Sequence, residues 1–445
     1  MSADLLAIAR SGTRAARAAL DVTAQNIANA STEGYVRRSV DVAEVSASGT
    51  IGGVGTTTLA GVRVSGITRN ADALRQAEVR RTGSDAARAT SEVEGLKSIE
   101  SAVEQSKVYE ASVAFEGSLK QLTSDPTDGS LRASVVESGR TLASTLNVTA
   151  KSLDAVGEGL RFDAQDGVSQ VNLLTSELAK VNNRLVRAAN SSSDQSSLLD
   201  QRDTLLQKLS AQVDITTTFA ADRSVEVRIG AASGPKLVSG NISATMAMTT
   251  ATNGTIGFTL DGAAVTPAGG ALAGKGQALT QLADTRAKLD TIAAGVIAAV
   301  NGAQASGVDL AGQPGQPLFS GTGAADIAMV ATSGAQLATA PAGAAAGSRD
   351  TANLTALRSA LTSANPSGQL DAVLFDVSSA VAGRTVTRDA LVSIADSASN
   401  ALQAQAGVDF DSEAVNLVRF QQAFSASGRV MQVANDLFDT ILGIR

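Results

Sequence analysis

Apolar residues recur at alternating spacings of three and four along much of the chain, a pattern that predicts amphipathic helices. Two such stripes occupy residues 3–30 and 411–445. The first passes through Leu5, Ile8, Val22, Asn26, Ile27 and Asn29, with the small residues Gly12, Ala15 and Ala19 among them. The second passes through Leu417, Phe420, Phe424, Met431, Leu437, Phe438 and Ile441.

The two terminal segments are predicted to pair as an antiparallel coiled coil. A simple two-helix hairpin is one reading of this pattern. The apolar surface of the last segment, however, covers two adjoining faces, and one helix covers only one of them. Full burial of each large side chain would contribute about 1.5–3 kcal/mol. The second face therefore predicts a further partner, either another subunit or another protein.

The pattern changes between these ends. Alternating valines at Val40, Val42, Val62 and Val64 predict an extended hairpin or linker. The predicted fold is mainly α, elongated and multi-domain, with a terminal antiparallel coiled coil, a helical bundle body and a small β-rich insertion. The expected parts are a terminal domain (1–34 with 405–445), a hairpin (35–70), a bundle (71–212 with 276–404, irregular over 302–350) and a β-rich outer domain (213–275).

Composition narrows the range of functions. The 445 residues are 44% hydrophobic but only 3% aromatic, and the sequence contains no His, Cys or Trp. Histidine and thiolate chemistry are thereby excluded, and we expect no enzyme activity, cofactor or metal. The formal net charge of −7 makes a nucleic-acid partner unexpected. Neither a membrane-spanning segment nor a cleaved signal peptide is expected, because no apolar run is long enough.

Two motif-like segments are better explained by ordinary structure. The segment GGALAGKG (269–276) nearly matches a phosphate-binding loop, but Gly276 replaces the required hydroxyl, which favours a flexible loop. Asp409, Asp411 and Glu413 have the spacing of a calcium loop, but Ala414 replaces its turn glycine. The acidic residues are better explained as favourable charges at a helix N-terminus.

The segment QNIANASTEGYVRR (25–38) resembles the N-terminal signature of the flagellar axial proteins, in which N-I-A-N precedes a T-x-G-Y turn. Within this turn, Gly34 and Tyr35 match the signature. The C-terminal segment and an internal LLDQRD resemble the hook-associated protein 1 family more specifically. The residues of that internal motif are Leu198, Leu199, Asp200, Gln201, Arg202 and Asp203.

The resemblance implies a structural subunit of the bacterial flagellum, located at the hook–filament junction and assembling through its terminal helices. It implies self-association in a ring, with the hook protein and the second junction protein (hook-associated protein 3) as neighbours. It also implies type III export to the extracellular flagellum, with a cytoplasmic export chaperone covering the C-terminal helix. A hook or distal-rod protein of the same flagellum is the alternative.

Overall fold

The structure is a computed structural model that describes residues 2–47, 58–188, 190 and 192–443. It divides into two compact units. The first contains Met1–Ser84, Val171–Thr245 and Val392–Arg445, and the second contains Asp85–Gln170 and Met246–Leu391. The chain thus enters and leaves each unit more than once.

Most described residues are helical, which confirms the predicted mainly α fold. The helices are α1 (Ser2–Asn29), α2 (Ala73–Ser106), α3 (Val108–Leu122), α4 (Gly129–Arg187), α5 (Ser193–Gln212), α6 (Gly270–Ala305), α7 (Ala352–Ala364), α8 (Pro366–Ala406) and α9 (Phe410–Gly443). A short 3-10 turn covers Gly334–Gln336.

The β structure is limited to short antiparallel sheets. The strands are β1 (Arg38–Ala47), β2 (Thr58–Arg69), β3 (Ile215–Phe219), β4 (Val225–Ile229), β5 (Lys236–Ser239), β6 (Ile242–Ser243), β7 (Met246–Thr250), β8 (Ile256–Leu260), β9 (Ala263–Val265), β10 (Gly307–Val308), β11 (Phe319–Ser320), β12 (Ala328–Met329) and β13 (Ala340–Pro341). Strands β3–β6 form one sheet and β7–β9 another, while β10 pairs with β13 and β11 with β12.

Strands β1 and β2 form the hairpin expected over residues 35–70. Arg38 at the start of β1 pairs with Arg69 at the end of β2, and Val42 pairs with Val64. The glycine- and threonine-rich centre of the predicted hairpin, residues 48–57, lies outside the described residues. The two ends of the hairpin therefore place two arginines side by side.

The sheets of the predicted β-rich region belong to different units. Strands β3–β6 lie within the first unit, and strands β7–β9 lie within the second. In the first sheet, Val225, Val227 and Ile229 of β4 are buried, as their alternation predicts. The single outer domain expected for residues 213–275 and the other domain limits stay predictions.

One local expectation is wrong. The segment 269–276 is not a loop, because α6 begins at Gly270 and continues through Lys275. Alanine, leucine and lysine are strong helix formers, which outweighs the glycines here. The chain between α2 and α3 turns at Lys107, whose φ of 55° lies in the left-handed region.

One continuous hydrophobic cluster forms the core of the second unit. It includes Phe115 and Leu119 of α3, Leu146 of α4, and Ile292 and Val296 of α6. The rings of Phe115 and Phe319 meet edge to face at 5.8 Å between centroids. The core therefore joins the helices to the irregular chain that follows α6.

That irregular chain, expected over 302–350, is held by a buried arginine. Arg132 of α4 is 1% exposed and donates to the backbone oxygens of Pro126, Gly334 and Leu337 and to the Thr339 hydroxyl. Four acceptors satisfy the guanidinium without a carboxylate. The segment lacks long helices and strands but has a fixed position in its unit.

Candidate assembly site

The terminal helices α1 and α9 pack against each other in the first unit. The Asn26 amide donates to a Glu413 carboxylate oxygen at 3.2 Å near one end of the pair. Further along, a Cβ at Gly12 would lie 2.9 Å from the Ser427 hydroxyl. Fourteen residues separate the two contact points on each helix, so the helices run antiparallel, as predicted.

The two helices contribute unequal side chains to their contact. α1 buries the small residues Ala9, Ala16 and Ala19, together with Val22. A row of alanines allows close approach but covers little of a large neighbouring side chain. Much of the apolar surface of α9 therefore remains accessible.

Three large side chains of α9 show the consequence. Phe424 is 40% exposed, Leu437 is 45% exposed and Phe438 is 51% exposed. By contrast, Leu417, Phe420 and Met431 are half-buried. Large exposed apolar surfaces are typical of protein–protein contacts.

The remaining predicted assembly residues fall into different environments. On α1, Val22 and Asn26 are buried, Ile27 and Asn29 are half-buried, and Leu5 and Ile8 are exposed. The side chain of Ile441 lies outside the part of the chain that the structure describes. The role of these residues in assembly stays a prediction.

The hairpin lies against α1. The Val62 backbone N–H of β2 donates to the Ser11 hydroxyl at 3.1 Å. At Gly61, a Cβ would collide with that hydroxyl and would lie 3.2 Å from the Ile8 Cα. Glycine thus permits close contact between the hairpin and the terminal helix.

A buried polar network begins at Asn26. Its carboxamide oxygen accepts from the Arg38 backbone N–H at 3.0 Å and from the Tyr35 hydroxyl at 2.9 Å. Its amide donates to the Arg38 backbone oxygen as well as to Glu413. The other oxygen of Glu413 accepts from Arg37 at 2.7 Å. Asn26 therefore joins both terminal helices to the first residues of the hairpin.

The network continues to the LLDQRD motif through Asp200. One oxygen of Asp200 accepts from Arg38 at 2.8 Å, and the other accepts from Arg69 at 2.8 Å. The Arg38 guanidinium also lies over the Tyr35 ring at 5.0 Å. The paired ends of the hairpin are therefore fastened to α5 by one carboxylate.

Asp203, one turn further along α5, completes the network. It accepts from Arg69 at 2.8 Å, from Gln76 at 3.0 Å and from two nitrogens of Arg202 at 3.0 and 2.7 Å. Gln76 belongs to α2, so the network also joins the first turns of that helix. We use the name polar network for Asn26, Tyr35, Arg37, Arg38, Arg69, Gln76, Asp200, Arg202, Asp203 and Glu413.

Burial and charge act differently on the two aspartates. Burial raises the pKa of the Asp200 carboxyl above its usual value, even though Arg69 and Arg38 lower it. Burial also disfavours ionised Asp203, but Arg202 and Arg69 together hold the pKa of that carboxyl below its usual value. The pKa values of the two carboxyls of α5 are thus shifted in opposite directions.

Gly34 explains one position of the N-terminal signature. Its φ of 78° lies in the left-handed region that favours glycine, and a Cβ there would collide with the Thr204 hydroxyl of α5. The turn after α1 therefore approaches the helix that carries the LLDQRD motif. Signature and motif, although remote in sequence, form one contact.

The motif residues divide by exposure. Leu198, Arg202 and Asp203 are buried, Leu199 and Asp200 are intermediate, and Gln201 is exposed. The motif thus presents apolar and charged side chains to its unit and one amide to solvent.

Sequence reasoning missed the arginines and Glu413 as members of this site. The sequence did contain a signal for these ion pairs. The YVRR segment carries two positive charges, and the two aspartates of LLDQRD carry negative charges. Spacing alone did not show that these charges meet. Asp409, considered with Glu413, instead accepts from the Ser412 backbone N–H at 2.7 Å at the start of α9, in agreement with a helix N-terminal role.

Two features of the described residues bear on other functions. Among the helices of residues 2–47, 58–188 and 192–443, none is both long and apolar enough to cross a membrane. Within the same described part of the chain, no group of three or more acidic residues is arranged to hold a metal ion.

Comparison with known families connects these features. The family model described as "Flagellar hook-associated protein FlgK helical domain" matches residues 95–319. The model described as "Flagella basal body rod protein" matches residues 6–35, which include most of α1 and Gly34. A third, for the C-terminal part of the flagellar basal body rod FlgEFG proteins, matches residues 399–444.

Individual proteins that are similar to this chain carry names from the same flagellar family. "Flagellar hook-associated protein 1" of Bacillus subtilis is 26% identical over 98% of this chain and 97% of its own length. The protein of the same name from Salmonella typhimurium is 25% identical over 70% of this chain, which spans 58% of that relative. The solved structure of the flagellar hook junction protein FlgK from Burkholderia pseudomallei matches with a TM-score of 0.50 and 23% identity, over 55% of this chain and 46% of that one.

Proposed function

The chain belongs to the family of the flagellar hook-associated protein FlgK, and from this premise we propose that it is a structural subunit joining the hook of the bacterial flagellum to the filament. The match of the family's helical domain to residues 95–319 carries this proposal. The terminal matches to rod proteins support a wider relationship to flagellar axial proteins. The helical-domain match favours the junction role over the alternative of a hook or distal-rod protein.

The assembly surface we propose is the pair of terminal helices. The exposed Phe424, Leu437 and Phe438 of α9 support it, because α1 leaves them partly uncovered. In the flagellum these side chains would be buried by neighbouring copies. Burial of three such side chains is favourable by roughly 1.5–3 kcal/mol for each one that becomes fully covered.

The partners we propose are further copies of this chain in a ring, the hook protein and the second junction protein (hook-associated protein 3). Before export, a cytoplasmic chaperone would cover the apolar face of α9. The subunit would leave the cell through the flagellar type III apparatus and function in the extracellular flagellum. Its role is structural rather than enzymatic.

The polar network has a positioning role in this proposal. It ties α1, α9, the hairpin, α5 and α2 together within the first unit. A ring of subunits requires that each copy presents its terminal helices in the same orientation to the rest of that unit. Buried ion pairs with fixed geometry favour one such orientation.

Deletion of the gene in the source bacterium tests the proposed function. We expect cells that retain hooks but carry no attached filaments in electron micrographs, and wild-type protein supplied in trans should restore both filaments and swimming. Deletion cells with normal filaments would refute the junction role. Loss of the hooks as well would favour the hook or distal-rod alternative.

A further inference from the structure

One face of α1 is basic. Arg10, Arg14 and Arg17 follow each other at spacings of four and three, so they share one face, and all three are exposed. The buried Ala9 and Ala16 lie on the other side of the helix, toward α9. In the described part of the chain, none of these guanidinium groups has an ion-pair partner. We call these three arginines the basic face.

The last turns of α9 carry the opposite charge. Asp436 and Asp439 share a face and are exposed, while Ala434 of the same helix is 3% exposed. Beside the aspartates, Val433 and Leu437 are 57% and 45% exposed. We call the two aspartates, with Val433 and Leu437, the acidic end.

The basic face and the acidic end cannot meet within one copy. Gly12 lies opposite Ser427 in the antiparallel pair, so Arg14 is level with about residue 425. Asp436 and Asp439 lie roughly 18 Å further along the axis at 1.5 Å per residue. Both charged surfaces also point away from the contact between the helices. Their pairing requires a second molecule.

We propose that the basic face of one copy binds the acidic end of a neighbouring copy, displaced by about 18 Å along the helix axis. This inference rests on the proposed self-association and names the surfaces that mediate it. Without the displacement, the basic face would lie level with residues 422–429, where Arg429 is the charged residue and would repel it. With the displacement, opposite charges meet beside the apolar side chains of Val433 and Leu437.

The contact is heterologous, because each copy offers one surface to the neighbour on one side and a different surface to the neighbour on the other. Repetition of such a contact generates a ring if the rotation closes and a helix if each step also advances along the axis. An axial displacement therefore predicts that the subunits follow a helical path. Exposed ion pairs are screened by salt, so the contact should weaken as ionic strength rises.

Charge reversal tests the pairing in cells of the deletion strain. Replacement of Arg10, Arg14 and Arg17 by Glu should weaken the contact about tenfold or more, and so should Asp436→Arg with Asp439→Arg. The variant with all five changes restores opposite charges and should regain filaments. Filaments per cell and secreted protein are counted for each variant, and circular dichroism of the purified proteins checks that helix content is retained.

A matched control changes the same amount of charge elsewhere. Lys97, Lys151 and Lys180 are exposed residues of α2 and α4, and their joint replacement by Glu should leave filament number unchanged. If both reversals are secreted and helical but the five-fold variant remains as defective as they are, the proposal is wrong. It is also wrong if either reversal behaves like wild type.

Cross-linking tests the displacement directly, because the chain has no cysteine of its own. Arg14→Cys and Asp436→Cys are made in separate copies and expressed together, so that only a contact between copies can join them. We expect a disulfide-linked dimer in purified hook–filament particles. As the matched pair, Arg14→Cys with Ser425→Cys should give none, since that pair would be level only without displacement.

The proposed displacement is wrong if the second pair gives a dimer and the first does not. The proposed contact is wrong if neither pair gives a dimer. Failure of the proposed function has a different signature. In that case wild-type protein would not restore filaments to the deletion strain, whatever the charge variants do.

Discussion

Replacement of Asp203 by Asn is the sharpest perturbation of the polar network. Asp203 is 9% exposed and accepts hydrogen bonds from Arg69, Arg202 and Gln76. Asn keeps the shape but removes the charge, and the NH2 group that replaces one carboxylate oxygen cannot accept from a guanidinium. Arg69 would keep the carboxylate of Asp200, whereas Arg202 would lose its carboxylate partner and keep the Arg223 backbone oxygen.

The expected loss of stability follows from these contacts. Removal of one partner from a buried ion pair costs about 3–5 kcal/mol, because the remaining charge is left uncompensated. The control is Asp200→Asn, since burial already raises the pKa of Asp200 and its ionised form is held less favourably than that of Asp203. We therefore expect the control to lose less stability at neutral pH.

Native-state hydrogen exchange measures the loss unit by unit. The free energy of opening should fall by about 3–5 kcal/mol for amides of α5. Amides around Leu146, in the core of the second unit, should change by less than about 0.5 kcal/mol, as expected for a distant site. A loss below about 1 kcal/mol in α5, or an equal loss in both units, would refute the reasoning.

The pH dependence gives a second test of the same variant. Arg202 and Arg69 hold the folded-state pKa of Asp203 below the usual value of a free aspartate, so its stabilisation is fully present above that usual value and is lost as the pH falls through the folded pKa. The stability difference between wild type and Asp203→Asn should therefore be constant near neutrality and shrink below about pH 4. A difference that grows on acidification would contradict this assignment.

Three other perturbations have defined outcomes. Gly34→Ala introduces a Cβ at positive φ against the Thr204 hydroxyl, and should destabilise the first unit by about 1–3 kcal/mol in urea unfolding followed by hydrogen exchange. Glu413→Gln removes one charge from a buried hydrogen-bonded pair and should lower the hydrogen-exchange protection of the first turns of α9 by about 1–2 kcal/mol. Unchanged protection would show that the contact contributes nothing to stability. Phe424→Asp with Phe438→Asp should abolish filament attachment, and circular dichroism should show that the helical body is intact. Cells that still swim would count against the apolar assembly surface.

Sequence periodicity predicted the terminal helices well, because burial of an apolar stripe on a long helix leaves a regular signal. Phe420 and Met431 of the α9 stripe are half-buried. Periodicity also predicted the hairpin of β1 and β2, because alternating valines are typical of strands, although Val42 is 56% exposed.

The polar network could not be predicted in the same way. Its ion pairs join residues separated by more than a hundred positions, such as Arg38 with Asp200 and Arg69 with Asp203. Each charge is ordinary in its own segment, and only the fold brings the segments together. Likewise, the left-handed Lys107 that ends α2 lacks the glycine or proline that normally marks such a break.

The most direct test of the account is the position of this subunit in the flagellum. Intact hook–filament particles are isolated from the source bacterium and labelled with gold-conjugated antibody raised against the second unit, then imaged by electron microscopy. The account predicts gold confined to a narrow band where the hook meets the filament. Gold distributed along the filament, along the hook or on the rod would contradict it.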